Sequence, residues 1–285
     1  MSNINELIKE LRNKTGAGFL DCKTSLAEND NDIEKAIEFL RKKGLAKASK
    51  KSSREANEGA VGFYSNSNLA ILIKVNSETD FAAKSETFLN FLDDLGKTAL
   101  ELNNPKLNLD EFLKTNFKEG TVSDYFKAMI AKIGENLILS EIIVIDNKNL
   151  NHSYYVHNSY KENIGKIISL INFTSDKIDD KINNLSKNIC MHIAAMKPES
   201  LNIEDLDNNI IENEKRIQKE LILSSGKPEN IVDKILEGKM KKFFADITLF
   251  NQTYILDSEK TIDDVIKEFS DEYNFNLISF KLLSL

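Results

Sequence analysis

The sequence predicts a mixed α+β protein with helices at its N-terminus, a core built from a repeated unit, and a separate helical hairpin. Three observations lead to this prediction: apolar residues at helical spacing near the N-terminus, a hairpin-then-helix order that occurs twice, and two charged amphipathic helices towards the C-terminus. The chain has 285 residues, enough for two or three domains at ~100–200 residues each. With 41% hydrophobic and 29% charged residues, its composition is that of a globular protein, which excludes the disordered and fibrous classes.

Three short helices are predicted in the N-terminal segment. The apolar residues of 4–11, 19–27 and 33–40 recur at helical spacing. Two glycines in Thr15–Gly18 separate the first helix from the second, because glycine adopts backbone angles that other residues avoid. We expect Gly44 to end the third helix.

A basic segment follows these helices. Residues 41–54 contain seven lysines and arginines and no acidic residue, and we expect a helix tail that continues into a solvated linker. The first 54 residues carry twelve basic and eight acidic side chains, whereas the whole chain has a net charge of −7. An acidic chain without clustered aromatic residues is poorly suited to nucleic acid, although RNA binding by this segment stays an alternative.

The core is predicted to contain two related halves, each with a β-hairpin and a following helix. At an offset of 96 residues, Asn76 matches Asn172 and Leu89 matches Leu185. The first copy comprises 61–64, 69–75 and 88–99, and the second comprises 154–156, 164–171 and 182–193. Between them we expect helices near 109–116 and 121–133 and a strand from 137 to 145.

A helical hairpin is predicted over residues 204–243. Ser225–Pro228 interrupts its apolar pattern, because glycine permits the turn and proline opens a new helix. After it we expect a strand near 254–256, a helix over 261–269 and a last strand over 277–282.

No catalytic motif is apparent in the sequence. There is no G-x-x-x-x-G-K-[ST] phosphate loop, no G-x-S-x-G turn and no H-E-x-x-H. Cys190 and His192 are two residues apart and would point to different faces of a helix. We therefore expect a buried thiol beside a packed histidine there, and a binding protein without cofactor or metal instead of an enzyme.

The sequence also predicts a cytoplasmic protein that does not bind membranes. No apolar run approaches the ~18–20 residues of a membrane span, and Met1–Glu6 does not begin a signal segment. The two cysteines, Cys22 and Cys190, are too far apart to form a disulfide framework, which favours a reducing compartment.

Two segments are candidates for binding a partner. In Thr15–Lys23, Phe19 and Leu20 are adjacent, so one helix face cannot bury both, and we expect one in the core and one in a contact. In Asn76–Lys84, local physics favours a helix cap at Thr79 or Asp80 with Phe81 packed inward. The alternative is an exposed wedge of Asp80 and Phe81 that acts on a cation or phosphate site of a partner.

Nine groups of residues occur in the order known from one family and extend over nearly the whole chain. They are Lys9-Glu10-Leu11-Arg12 with Thr15-Gly16-Ala17-Gly18, Asp21-Cys22-Lys23, Asp32-Ile33-Glu34-Lys35-Ala36, Thr79-Asp80-Phe81, Lys132-Ile133-Gly134-Glu135-Asn136, Met191-His192-Ile193-Ala194-Ala195, Lys197-Pro198-Glu199, Ser225-Gly226-Lys227-Pro228 and Glu237-Gly238-Lys239-Met240-Lys241-Lys242-Phe243. In these motifs the chain resembles the bacterial translation elongation factor Ts family.

This resemblance implies five parts of the chain. They are a three-helix ubiquitin-associated-like domain (1–46), a basic linker (47–59), the N-terminal half of the core (60–148), its C-terminal half (149–203 and 244–285) and a protruding antiparallel coiled-coil hairpin (204–243). It also implies a function, guanine-nucleotide exchange on elongation factor Tu, which would be bound with GDP and without nucleotide.

The resemblance implies three groups of partner-binding residues. Thr79, Asp80 and Phe81 would form a wedge that disturbs the magnesium side of the partner's nucleotide site. An N-terminal surface would contain Arg12, Phe19, Leu20 and Lys23, and a core surface would contain Ile133, Gly134 and His157. The family usually has valine where this chain has Ala82, which reduces the support beneath the wedge. An adaptor that binds peptides through the small helical domain is the other alternative.

Overall fold

The computed structural model describes residues 4–118, 120–226 and 228–285. Its helices are α1 (Ile4–Thr15), α2 (Phe19–Glu28), α3 (Ile33–Lys51), α4 (Asp80–Lys84), α5 (Glu86–Glu101), α6 (Leu109–Lys114), α7 (Val122–Ile133), α8 (Asp180–Met196), α9 (Asn208–Ser224), α10 (Glu229–Ile247) and α11 (Ile262–Tyr273). Its strands are β1 (Glu58–Ser65), β2 (Leu69–Ser77), β3 (Asn116–Phe117), β4 (Gly120–Thr121), β5 (Leu137–Asp146), β6 (Asn151–Lys161), β7 (Ile164–Thr174) and β8 (Asn276–Ser284). This is the mixed α+β fold that the sequence predicted. Met1–Asn3 and Lys227, which entered the sequence analysis, lie outside the described residues.

The chain forms two compact units. The first contains the described residues up to Asp146 together with Asn158–Lys166 and Leu283–Leu285. The second contains Asn147–His157 and Ile167–Leu282. The five-part division expected from the sequence stays a prediction.

Helices α1, α2 and α3 of the first unit pack around a small core. Their buried residues are Ile8, Leu11, Cys22, Leu26 and Ala36. Gly16 has φ +68° and separates α1 from α2, and the Asp32 side chain accepts a hydrogen bond from the Lys35 N–H to begin α3.

The prediction that Gly44 ends the third helix is wrong. Helix α3 continues to Lys51, so the first residues of the predicted linker 47–59 are helical. Gly44 lies against α7, where an added Cβ would be 3.0 Å from the Cβ of Ala131. Close packing between the two helices therefore explains a glycine that costs about 1 kcal/mol in a helix interior.

An antiparallel sheet forms the centre of the first unit. Strand β2 lies between β1 and β5, and Val61 and Gly62 of β1 pair with the first residues of β7. Helices α5 and α7 contribute to its core, whose largest fully buried side chains include Phe88 and Phe91. The predicted first hairpin, the helix after it and the strand beginning at 137 are confirmed.

The second unit contains the second predicted hairpin and helix. Strand β7 lies between β6 and β8, and residues of α8 and α11 share one apolar core with residues of β7 and β8. Helices α9 and α10 pack against each other, and Lys239 Nζ donates to Gln218 Oε1 at 2.8 Å.

The strand predicted near 254–256 is absent from the described part of this region. Tyr254 and Asp257 form a turn in which the Asp257 N–H donates to the Tyr254 carbonyl, and Leu256 is 55% exposed. The three apolar residues are too few to define a strand against the turn-forming residues that follow them.

Candidate partner-binding site

A loop and a five-residue helix follow strand β2 in the first unit. The Thr79 side chain is the N-cap of α4 and accepts a hydrogen bond from the Ala82 N–H at 3.2 Å. The Ser77 hydroxyl donates to the Thr79 carbonyl at 2.9 Å. These contacts fix the backbone immediately before Asp80 and confirm the predicted cap at Thr79.

Phe81 lies on the solvent side of helix α4. It is 84% exposed, whereas Ala82 and Ala83 are the buried residues of this helix. The prediction that Phe81 packs inward is therefore wrong. Burying a phenylalanine side chain is worth about 1.5–3 kcal/mol, so this position contributes little of that energy to the fold.

Asp80 is held beside Phe81 by a lysine on the next turn of the helix. Lys84 Nζ lies 2.7 Å from Asp80 Oδ2. The hydrogen bond from Lys84 lowers the pKa of Asp80, and the same contact raises the pKa of Lys84. Both groups are charged at neutral pH, so the loop presents a carboxylate next to an exposed aromatic ring.

Two glutamates connect this loop to the end of helix α7. The Thr79 N–H donates to Glu135 Oε2 at 2.9 Å, and the Thr79 hydroxyl donates to Glu135 Oε1 at 2.7 Å. In the opposite direction, the Asn136 N–H donates to Glu78 Oε1 at 2.7 Å. Sequence analysis did not select these glutamates, although Glu135 lies inside the Lys132–Asn136 motif, which is the signal that could have found it.

The segment that follows helix α3 reaches the same place. Arg54 Nη1 lies 3.4 Å from Glu78 Oε2, and the Arg54 carbonyl accepts a hydrogen bond from Asn136 Nδ2 at 2.7 Å. Lys51 Nζ donates to the Gly134 carbonyl. The structure thus brings the ends of α3 and α7 to the start of α4.

The predicted core residues Ile133 and Gly134 are located at the end of α7. Gly134 has φ +87° and is the C-cap of this helix, a left-handed conformation that favours glycine. Gly134 is exposed, while Ile133 is half-buried and packs against the core of the first unit. Gly134 is therefore close to the contacts that hold the loop before Asp80, whereas much of the Ile133 side chain supports the fold.

The four residues predicted for the N-terminal surface are all exposed. Phe19 is 52% exposed and Leu20 is 74% exposed, and Arg12 and Lys23 are exposed as well. The expectation that one of the two adjacent apolar residues enters the core is wrong, because Cys22 on the same helix fills that position. Arg12 and Phe19 line one groove.

His157 belongs to the second unit. It is exposed on strand β6, and its Nδ1 atom lies 3.3 Å from the hydroxyl of Tyr155. Sequence analysis grouped it with Ile133 and Gly134, but the structure describes it within a different unit.

Cys190 and His192 are packed as predicted. Burial raises the pKa of the Cys190 thiol to about 12, and its Sγ atom lies 3.2 Å from the Ser153 carbonyl. His192 is fully buried, its Nε2 atom lies 2.9 Å from Gln252 Oε1, and burial lowers its pKa. Across 4–118, 120–226 and 228–285, no cluster of three or more His, Cys, Asp or Glu could hold a metal ion.

Within the described ranges, no helix combines the length and the apolar composition that a membrane span requires.

Comparison with known proteins places these residues in a family. The model of the family Elongation factor TS matches residues 78–285, beginning two positions before Asp80. Elongation factor Ts of Ehrlichia canis (strain Jake) is 38% identical over 282 residues, which cover 96% of each chain. Elongation factor Ts of Allorhizobium ampelinum is 38% identical over 264 residues, or 92% of this chain and 85% of the relative. The chain belongs to the elongation factor Ts family.

Membership in the elongation factor Ts family confirms the resemblance predicted from the nine motifs. The chain is an elongation factor of protein biosynthesis. The match to the elongation factor Ts model includes Thr79–Phe81, Gly134 and His157, whereas Arg12 and Phe19 precede it.

Proposed function

We propose that this protein binds elongation factor Tu and accelerates the release of GDP from it. The observation that carries the proposal is an 84% exposed Phe81 beside the carboxylate of Asp80 in a member of the elongation factor Ts family. A large apolar side chain held in solvent on a hydrogen-bonded loop is typical of an interaction site.

Exchange requires only that the two ligands weaken each other's binding. When this protein and GDP both bind elongation factor Tu, each lowers the affinity of the other by the same factor. Insertion of Phe81 into an apolar pocket would supply about 1.5–3 kcal/mol, and each 1.4 kcal/mol changes an affinity about tenfold. The Asp80 carboxylate would disturb the Mg²⁺ that bridges the GDP phosphates and partner oxygens.

The remaining candidate residues would dock the two proteins. The proposed N-terminal contact consists of Arg12, Phe19, Leu20 and Lys23. We also propose that helices α1–α3, to which these residues belong, form a ubiquitin-associated-like domain. Ile133 and Gly134 of the first unit are proposed to contact elongation factor Tu, and His157 of the second unit is proposed to do so as well. We propose in addition that helices α9 and α10 are an antiparallel coiled-coil hairpin.

The basic segment offers less support for RNA binding. Among the basic residues whose side chains the structure describes, four contact protein groups: Lys42 with Glu38, Lys43 with Asp21, Lys51 with the Gly134 carbonyl and Arg54 with Glu78. Neutralised cations release few counterions from a nucleic acid, so they contribute little to its affinity.

The test is the release of fluorescent GDP from elongation factor Tu, with and without catalytic amounts of this protein. We expect faster release that saturates with the concentration of the complex. With the Phe81→Ala variant, elongation factor Tu should release GDP more slowly at saturation, and this loss should exceed the loss of affinity between the two proteins. Leu256→Ala, which shortens another exposed apolar side chain, is the matched control and should behave like the unchanged protein. Binding of the unchanged protein without accelerated release would refute the proposal and favour an adaptor.

A further inference from the structure

Two carboxylates cross between the loop before helix α4 and the residues after helix α7. Glu135 accepts hydrogen bonds from the N–H and the hydroxyl of Thr79, at 2.9 and 2.7 Å. Glu78 accepts a hydrogen bond from the Asn136 N–H at 2.7 Å. We call Glu78, Thr79, Glu135 and Asn136 the crossed clamp.

The crossed clamp acts on the backbone at both of its ends. Thr79 immediately precedes Asp80, and its hydroxyl also accepts a hydrogen bond from the Ala82 N–H. A continuous series of hydrogen bonds therefore extends from Glu135 through Thr79 into the first turn of α4. Asn136 is 1% exposed, which anchors the other end of the clamp in the first unit.

Comparison with other threonine caps shows what is unusual here. Thr121 and Thr261 are the N-cap residues that precede helices α7 and α11. Each forms hydrogen bonds with an aspartate three residues further along the chain. At α4 the corresponding residue is Ala82, which has no side-chain acceptor. Its cap is instead completed by Glu135, 56 residues away. A local aspartate would cap the helix equally well, so the distant glutamate has an additional consequence, which is to fix α4 relative to the end of α7.

We propose that Glu135 is a positioning residue for nucleotide exchange. It keeps Asp80 and Phe81 in a fixed position relative to Gly134, so that docking of the core surface places the wedge in the partner's nucleotide site. This inference rests on the function proposed above. An isolated helix of five residues is not stable on its own. Without Glu135 the docked complex still forms, but Phe81 occupies its productive position for only a fraction of the time, and release slows by that fraction.

The test measures how fast elongation factor Tu releases GDP as the concentration of the Glu135→Ala variant is increased. We expect the rate constant at saturation to fall about tenfold, the usual effect of losing hydrogen bonds to a charged group. The concentration for half-saturation should change less than about threefold, because the docking surfaces are intact.

Asp264→Ala provides a matched control for the loss of a carboxylate from a threonine cap. Asp264 Oδ2 accepts hydrogen bonds from the N–H and the hydroxyl of Thr261 at 2.9 and 2.7 Å, the same distances as at Glu135. Asp264 and Thr261 belong to the second unit and to no proposed contact surface. We expect this variant to accelerate GDP release from elongation factor Tu as much as the unchanged protein does.

A double-mutant cycle separates positioning from a general loss of structure. If Glu135 acts by positioning Phe81, Glu135→Ala should lower the rate constant for GDP release much less in a Phe81→Ala background than in the unchanged protein. Two losses that multiply would overturn the inference, and so would an unchanged release rate for Glu135→Ala. If Glu135→Ala fails to fold, Glu135→Gln can be used, because it retains one hydrogen-bond acceptor. Its rate constant for GDP release at saturation should fall less, and its concentration for half-saturation should be unchanged. Absence of acceleration by the unchanged protein would instead refute the proposed function itself.

Discussion

Replacing Phe81 with alanine should leave the stability of the fold almost unchanged. Only about one-sixth of this side chain is shielded from water, since Phe81 is 84% exposed. Full burial of phenylalanine contributes about 1.5–3 kcal/mol, so the part lost on truncation is about 0.2–0.5 kcal/mol. Alanine also favours a helix over phenylalanine by about 0.5 kcal/mol. The two contributions oppose each other, and the expected net change in the free energy of unfolding is about zero.

Denaturant unfolding followed by circular dichroism measures this change. Phe88→Ala is the matched comparison, because Phe88 is fully buried in the core of the first unit. Its truncation should cost about 3–5 kcal/mol and lower the denaturation midpoint. A loss above about 1 kcal/mol for Phe81→Ala would show that this ring packs against the protein in solution. The proposed wedge would then be wrong, whatever the effect of the variant on GDP release.

Three further outcomes follow from the packing and the titratable groups. Gly96→Ala should destabilise the protein by about 1–3 kcal/mol in denaturant unfolding, because the added Cβ would lie 2.1 Å from the ring of Tyr64. Gly238→Ala is the control and should not destabilise the protein, because its added Cβ meets nothing within 4 Å. Burial lowers the pKa of His192, so the unfolded state binds the proton first and the free energy of unfolding should fall as the pH drops below ~6.5; a His192 NMR titration with a midpoint at or above that value would contradict this. Burial raises the pKa of both Cys22 and Cys190, so neither thiol should react with a thiol reagent at neutral pH until the protein is unfolded; rapid labelling of the native protein would show that one of them is accessible.

The elements predicted correctly are those with a long or regular pattern. Helix α5 places apolar residues on one face over sixteen residues, and strands β2 and β7 contain long apolar runs. Short segments were harder to predict. Helix α4 has five residues, little more than one turn, so its sequence does not define which face is buried. For this reason local physics favoured an inward Phe81 over the alternative of an exposed wedge, and the structure has the exposed position.

Tertiary contacts account for the other differences. Gly44 is a reasonable end for an isolated helix, whereas in the fold the close approach of Ala131 explains why a glycine lies inside α3. Glu135 is likewise an ordinary charged residue in the sequence, and its two hydrogen bonds join positions 56 residues apart. The sequence identified the motif that contains Glu135, but no local rule relates this glutamate to Thr79.

The candidate site combines the exposed residues Asp80 and Phe81 with a preceding loop that is held by side-chain hydrogen bonds. Functional residues on loops are precise only when a rigid scaffold positions them, and here the ends of three helices supply that scaffold. Glu78 binds both the Asn136 N–H and the Arg54 guanidinium, while Lys51 binds the Gly134 carbonyl. Lys51 is the last residue of helix α3 and Arg54 follows three residues later, and α3 packs with α2, the helix that carries Phe19 and Leu20. Hydrogen bonds from Lys51 to the Gly134 carbonyl and from Thr79 to Glu135 therefore connect the end of α3, through the residues after α7, to the N-cap of α4.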